Sequence, residues 1–233
     1  MKKSLFTLLI ILFGSSIHAQ DILNVQVSSG VAIPLGRVAN NDVKDSASGY
    51  ASTGGMIEFR MGIKPFKFVG LCFSGGLGML PINTNPIKKH VYEENGIEEK
   101  PRANNYRFGY ASAGFMFAYR PPIKDKWILD ASITGGYLWA EMPDIDVTQG
   151  GTIFYKSYQS YGGGWMLSAN FSFRFRVYKS FYIGSGLEYM YARPRFTNLI
   201  VEERVSGNTT THQSTFAQNM SVIYWSGQIG VTF

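Results

Sequence analysis

Apolar and polar residues alternate with a period of two through most of this chain, and the alternation falls into eight segments. That period belongs to an extended strand, whose successive side chains point to opposite faces. The first segment, about Leu23 to Ile33, sets Val25, Val27, Val31 and Ile33 against Asn24, Gln26, Ser28 and Gly30, and Pro34, Leu35 and Gly36 then signal a turn. The second, Gly54 to Lys64, opposes Ile57, Phe59, Met61 and Ile63 to Glu58, Arg60 and Gly62. The third opposes Val69, Leu71, Phe73, Leu77 and Met79 to Gly70, Cys72, Ser74, Gly76 and Gly78. In the fourth, Tyr106 to Tyr119, Ala111, Ala113, Phe115 and Phe117 form the apolar row, but Arg107 shares their parity. A bulge near Gly109 is expected to resolve that conflict. The fifth opposes Trp127, Leu129, Ile133, Tyr137 and Trp139 to Asp130, Ser132, Thr134 and Gly136. The sixth, Gly164 to Val177, is the most regular, with Trp165, Leu167, Phe171, Phe173 and Phe175 against Ser168, Asn170, Ser172, Arg174 and Arg176. The seventh pairs Phe181, Ile183, Leu187, Tyr189 and Tyr191 against Gly184, Gly186 and Glu188. The eighth, Ile223 to Phe233, alternates without a fault, with Tyr224, Ser226, Gln228, Gly230 and Thr232 on its polar face.

The connections alternate too. Those after segments two, four and six are a few residues long, while those after one, three, five and seven run to roughly 13 to 25. Hairpins with short turns at one end and long loops at the other, in an even number, predict an all-β fold: an eight-stranded antiparallel up-and-down transmembrane β-barrel. A soluble barrel would show the same period with its apolar face inward. Two features of the residues favour the outward assignment. The apolar rows are bulky and aromatic while the polar rows are mostly Gly, Ser, Ala and Thr, as a narrow lumen requires. Aromatics also gather near segment ends, at Tyr106, Trp127, Trp139, Trp165, Phe181, Tyr191 and Trp225, where interfacial girdles are expected.

The last strand carries Trp225, Ile229, Val231 and a final Phe233 on one face. This pattern resembles the C-terminal signal by which outer-membrane barrels of Gram-negative bacteria are recognised for insertion. With the strand pattern, the loop asymmetry and the stretch Gly30 to Gly36 (Gly, Val, Ala, Ile, Pro, Leu, Gly), the chain resembles the small outer-membrane β-barrel domain family over essentially its whole mature length. The resemblance implies fold, outer-membrane location with termini in the periplasm and long loops outside, and the barrel-assembly machinery as a partner during insertion. It implies no shared reaction.

The N-terminus agrees with export. Lys2 and Lys3, an apolar stretch from Leu5 to Phe13 and a small residue at Ala19 read as a signal peptide over residues 1–19, leaving a barrel domain of residues 20–233. The apolar stretch is about half the ~20 residues a spanning helix needs. Loss of Lys2 and Lys3 takes the formal charge from +6 to about +4. The basic residues are scattered over turns and loops, so no nucleic-acid partner is expected. Cys72 is the only cysteine, which rules out an intramolecular disulfide. Mean hydropathy is near zero despite 15% aromatic residues, because bulky apolar and small polar rows cancel.

The chemistry-bearing residues concentrate on the polar rows. Glu58, Arg60, Asp130, Arg174, Arg176 and Glu188 share that face, and the arginines and Asp130 lie close to short turns. Arginine and carboxylate pairs crossing the lumen as a salt-bridged plug are the expected arrangement, since an unpaired buried charge costs several kcal/mol. A gated path for ions is the alternative reading of the same residues. A second candidate is His212, Gln213 and Ser214 with Glu202 and Glu203 close in sequence, the one combination suggesting an envelope-lipid-modifying enzyme. It falls in a polar stretch read as a loop, and no enzyme is expected. The loop Pro81 to Asn105 balances Lys88, Lys89, Lys100 and Arg102 against Glu93, Glu94, Glu98 and Glu99, which suits contact with lipopolysaccharide or an envelope protein, or solubility alone. No cofactor or metal site is expected. The functional expectation is a monomer in outer-membrane lipid with a structural or surface-recognition role and a filled lumen, the alternatives being a narrow ion or small-solute channel and a lipid-modifying enzyme.

Overall fold

The computed structural model describes residues 22–43, 45, 48–66, 68–96, 101–121, 126–149, 152–205 and 208–233. The expected signal peptide lies outside the described residues, as do Glu98, Glu99 and Lys100 of the charged loop. Thirteen strands occur among the described residues: β1 Leu23–Leu35, β2 Gly54–Ile63, β3 Val69–Leu80, β4 Arg102–Ala103, β5 Tyr106–Tyr119, β6 Trp127–Met142, β7 Ile145–Gln149, β8 Thr152–Ser157, β9 Ser160–Tyr178, β10 Phe181–Ala192, β11 Arg195–Val205, β12 Asn208–Ala217 and β13 Met220–Thr232. Eight of them, β1, β2, β3, β5, β6, β9, β10 and β13, pair antiparallel in that order, and β13 pairs back onto β1 from Asn24↔Thr232 to Leu35↔Ser221. The seam is finished by Phe233 N donating to Leu23 O at 2.8 Å and Leu23 N donating to Phe233 O at 3.2 Å. Closure leaves the barrel no open edge, so its backbone groups are paired within the sheet, as hydrocarbon surroundings require.

The outer face is apolar all round. Phe59, Leu77, Phe115, Ile133, Leu167, Phe171, Ile183 and Ile229 are all exposed, and Trp165 is 81% exposed. An apolar surface this continuous belongs in lipid rather than in water. The inner face divides into two layers. Toward the short turns it is polar, with Asn24, Gln26, Arg60, Asp130, Ser132, Ser172, Arg174 and Gln228 buried. Toward the long connections it is apolar, with Met56, Leu80, Tyr106, Phe108, Tyr110, Leu138, Met166, Met190, Val222 and Tyr224 packed into one cluster.

That upper layer corrects the expectation of an interior lined by small residues. The inward row of β5 is Tyr106, Phe108 and Tyr110, and the small inward row of β3 makes room for it. A Cβ at Gly78 would fall 2.1 Å from Phe108 Cζ, and one at Gly76 2.7 Å from Tyr110 Cε1, so both rings lie directly on glycines of the neighbouring strand. Tyr106, expected in an interfacial girdle, is 3% exposed and donates its hydroxyl to Gln218 Oε1 at 3.1 Å.

The expected bulge near Gly109 is absent. Pairing of β5 runs through Leu77↔Gly109 and Gly109↔Trp139 without a shift in register. Arg107 does face outward, but at the long-connection rim, where its side chain is 67% exposed and sits 3.8 Å from Glu141. Gly109 is small because the Trp139 indole lies over it. An arginine at the rim needs no bulge to escape hydrocarbon, because a long side chain reaches the interface.

The long connections are structured. The first begins with Gly36 at φ 65° and a single 3-10 turn, Gly36–Ala39, which buries Val38 under the rim. The second holds helix α1, Asn85–Asn95, with Pro86 in its first turn and Gly96 at φ 68° ending it. The third and fourth contain the hairpins β7–β8 and β11–β12, and β11 pairs both β8 and β9. β9, with 19 residues, carries this added sheet beyond the barrel.

Candidate functional site

Glu58 and Arg60 are two residues apart on β2, so both point into the lumen. Arg60 donates from Nε and Nη2 to the same oxygen, Glu58 Oε1, at 3.1 and 2.7 Å. Its Nη2 also reaches across the barrel to Glu188 Oε2 on β10 at 2.8 Å, and Nη1 donates to Ser132 Oγ at 3.4 Å. Ser28 Oγ donates to the other oxygen of Glu58 at 3.2 Å. One guanidinium therefore bridges two carboxylates from opposite walls, the planar fork of arginine allowing both contacts at once.

Asp130 and Arg174 form a second group on neighbouring strands. Arg174 Nε donates to Asp130 Oδ2, and the guanidinium lies 4.4 Å from the Tyr182 ring centroid. Tyr182 in turn donates its hydroxyl to Asn24 Oδ1. This pair is a diagonal contact between β6 and β9, where Asp130 is opposite Ser172 and Arg174 opposite Ile128, so it does not cross the barrel. Arg176 is half-buried, two residues nearer the turn. Of the six residues singled out from the sequence, five are buried: Glu58, Arg60, Asp130, Arg174 and Glu188. They carry three carboxylates to two guanidiniums. Above them a chain of hydroxyls links four strands, Ser74 to Ser112 at 2.7 Å, Thr134 to Ser112 at 3.0 Å and Thr134 to Ser168 at 2.8 Å. Tyr224 from β13 lies 3.3 Å from Ser28 Oγ and 3.2 Å from Met56 O, tying the polar layer to the apolar one. No charge in the sequence signals the hydroxyl chain or the methionine and tyrosine layer, although their inward parity does.

The polar half of the lumen is tightly packed around these groups. A cavity bordered by Gln26, Arg60, Cys72, Asp130, Asn170 and Ser172 holds about 10 Å³, the space of roughly one water molecule.

His212, Gln213 and Ser214 lie on strand β12 rather than in a loop, because β12 pairs with β11 through Val201↔His212 and Leu199↔Ser214. All three are exposed. Glu202 accepts from the Tyr158 hydroxyl at 3.0 Å, and that bond raises the phenol's pKa above its ordinary value. In the charged connection Lys89 and Glu93 are 3.8 Å apart on α1, both exposed, and Arg102 on β4 is in register with Asp146 on β7. On the last strand, Trp225, Ile229 and Phe233 face outward and exposed, and Val231 is half-buried on the same face.

A closed eight-stranded barrel with an apolar exterior and charged and hydroxyl groups buried in its lumen defines an integral β-barrel of the outer-membrane type. Solved structures of outer-membrane proteins are similar in fold. The chain is similar to the outer membrane protease OmpT of Escherichia coli, with a TM-score of 0.53 and 8% identity over 94% of this chain and 100% of that one. It is similar to a major outer membrane protein of Thermus thermophilus, with a TM-score of 0.51 and 10% identity over 93% and 100%. Neisserial surface protein A aligns with a TM-score of 0.47 and 12% identity over 91% and 97%. For the first two, at these identities, the fold is what is shared. No protein-family model matches the chain, and no curated protein does.

Proposed function

We propose that this protein is a monomeric outer-membrane barrel with a filled, salt-bridged lumen, whose role is structural or one of surface recognition through its long connections. In this reading residues 1–19 are removed on export, the termini are periplasmic and the long connections are outside, in contact with lipopolysaccharide or an envelope partner. Trp225, Ile229, Val231 and Phe233 present the terminal strand to the assembly machinery.

The observation that carries the reading is the lumen. Glu58, Arg60 and Glu188 join opposite walls in the polar half, and the cluster around Tyr110, Met166 and Tyr224 fills the other half. A solute crossing the barrel would have to separate buried ion pairs, which costs several kcal/mol per uncompensated charge. At the long-connection end, by contrast, β12 offers a run of exposed polar residues from Thr209 to Thr215.

Planar-bilayer recording tests this directly. The purified protein is expected to give no unitary currents. Currents that change in amplitude in Arg60→Ala or Arg174→Ala would overturn the plug and establish a narrow channel.

A further inference from the structure

Two outward rows of side chains run across the strands near the long-connection rim. One is Gly55, Met79, Arg107, Glu141 and Tyr161, each opposite the next in register; the other includes Ser29, Ile57, Leu77 and Trp139. Between them the inward row Gly30, Met56, Gly78, Phe108, Ala140 and Gly162 presents only its backbone to the outside. The result is a groove of about 620 Å³ on the outer wall. A second depression of about 340 Å³, walled by Val27, Ile57, Phe59, Leu77 and Trp139 over Gly75, shares three of its residues and continues it.

Small residues create this relief. A Cβ built on Gly55 meets nothing closer than Gly30 O at 3.9 Å, so the space above it is open. Trp139 lies flat over Gly109 and reaches toward β3, forming one wall. The groove is also amphipathic along its length. Arg107, Glu141 and Tyr161 stand together at one end, while Val27, Ile57, Phe59 and Leu77 line the other. At the polar end the carboxylate is engaged, since Glu141 accepts from Gln159 as well as lying 3.8 Å from Arg107. Glu141 is 22% exposed and Arg107 is 67% exposed, so the accessible charge is the cation.

We propose that this groove is a binding site for one lipid of the surrounding leaflet, with an acyl chain lying over Gly55 and Gly75 and an anionic phosphate head group against Arg107. The fit rests on complementarity at both ends: an apolar trough of pocket size that opens where hydrocarbon is the solvent, and an exposed guanidinium suited to phosphate. Inorganic phosphate alone lacks the chain that the trough requires. The site rests on the membrane-barrel reading, and the experiment separates the two.

In a protein whose Trp127, Trp165 and Trp225 are replaced by phenylalanine, Trp139 alone reports on the groove. A companion retaining only Trp225 reports on ordinary lipid contact, because Trp225 on β13 lines neither depression. Both are reconstituted in vesicles that mix phosphatidylglycerol and phosphatidylcholine, with bromine on the chains of one or the other. Trp139 is expected to be quenched by brominated phosphatidylglycerol with about fivefold preference, the scale of one basic side chain with one anionic lipid, and Trp225 with none. Arg107→Gln should abolish the preference, and Gly55→Leu should reduce quenching of Trp139 while leaving Trp225 unchanged. Equal preference at Trp139 and Trp225, or a preference that survives Arg107→Gln, would overturn the site. Absence of quenching at both positions would overturn the membrane reading itself.

Discussion

Arg60 holds two buried carboxylates with one guanidinium, and this makes it the most sensitive residue in the lumen. Arg60→Ala would leave Glu58 and Glu188 buried without their cation and is expected to lower unfolding free energy by about 3–5 kcal/mol. Removing all the charge together, as Glu58→Gln with Arg60→Met and Glu188→Gln, should cost much less, because no uncompensated ion remains. Urea unfolding in vesicles, followed by tryptophan emission, checks both; a triple variant weaker than Arg60→Ala would refute the account. Strand parity places Glu58, Arg60, Asp130 and Glu188 on one face from sequence alone. Their partners were not legible, because Arg60 meets Glu188 only through a register set across strands 128 positions apart. Parity also puts Tyr106, Phe108 and Tyr110 inward, but their bulk conflicts with a lumen lined by small residues, and only the pairing with the glycine row of β3 shows how they fit.

At the scale of elements, the eight barrel strands were readable because lipid and lumen impose opposite demands on alternate residues. The added hairpins β7–β8 and β11–β12 were not, since both faces of β12 meet solvent and its Thr, His, Gln and Ser residues show no contrast. The same logic predicts that the hairpin is dispensable to the barrel. Replacing residues 198–214 by a short turn should leave a protein that still migrates faster unheated than boiled on a denaturing gel, whereas loss of that difference would mean the hairpin supports closure. The tight turn between β9 and β10 offers a finer test. Lys179 sits at φ 31°, in the left-handed region that costs residues with a Cβ roughly 1–2 kcal/mol. Asparagine tolerates that region better, so Lys179→Asn should raise the urea midpoint by a part of that cost, and a lowered midpoint would argue against strain at this turn.

For the whole molecule, the two inner layers and the closed seam act together. The apolar cluster lies under the long connections and the ion pairs near the short turns, so the barrel interior is packed from both ends. The seam between β1 and β13 has a further consequence, for chain order. Leu23 and Phe233 are hydrogen-bonded neighbours at the short-turn end, where the other hairpins are joined by only a few residues. A short linker from Phe233 to Leu23 would therefore make one more ordinary hairpin, and new ends opened in the connection that carries α1 would fall outside the barrel. Such a circular permutant, starting at β5 and finishing at β3, should close into the same eight-stranded wall, which makes the order in which strands leave the ribosome separable from the shape they form.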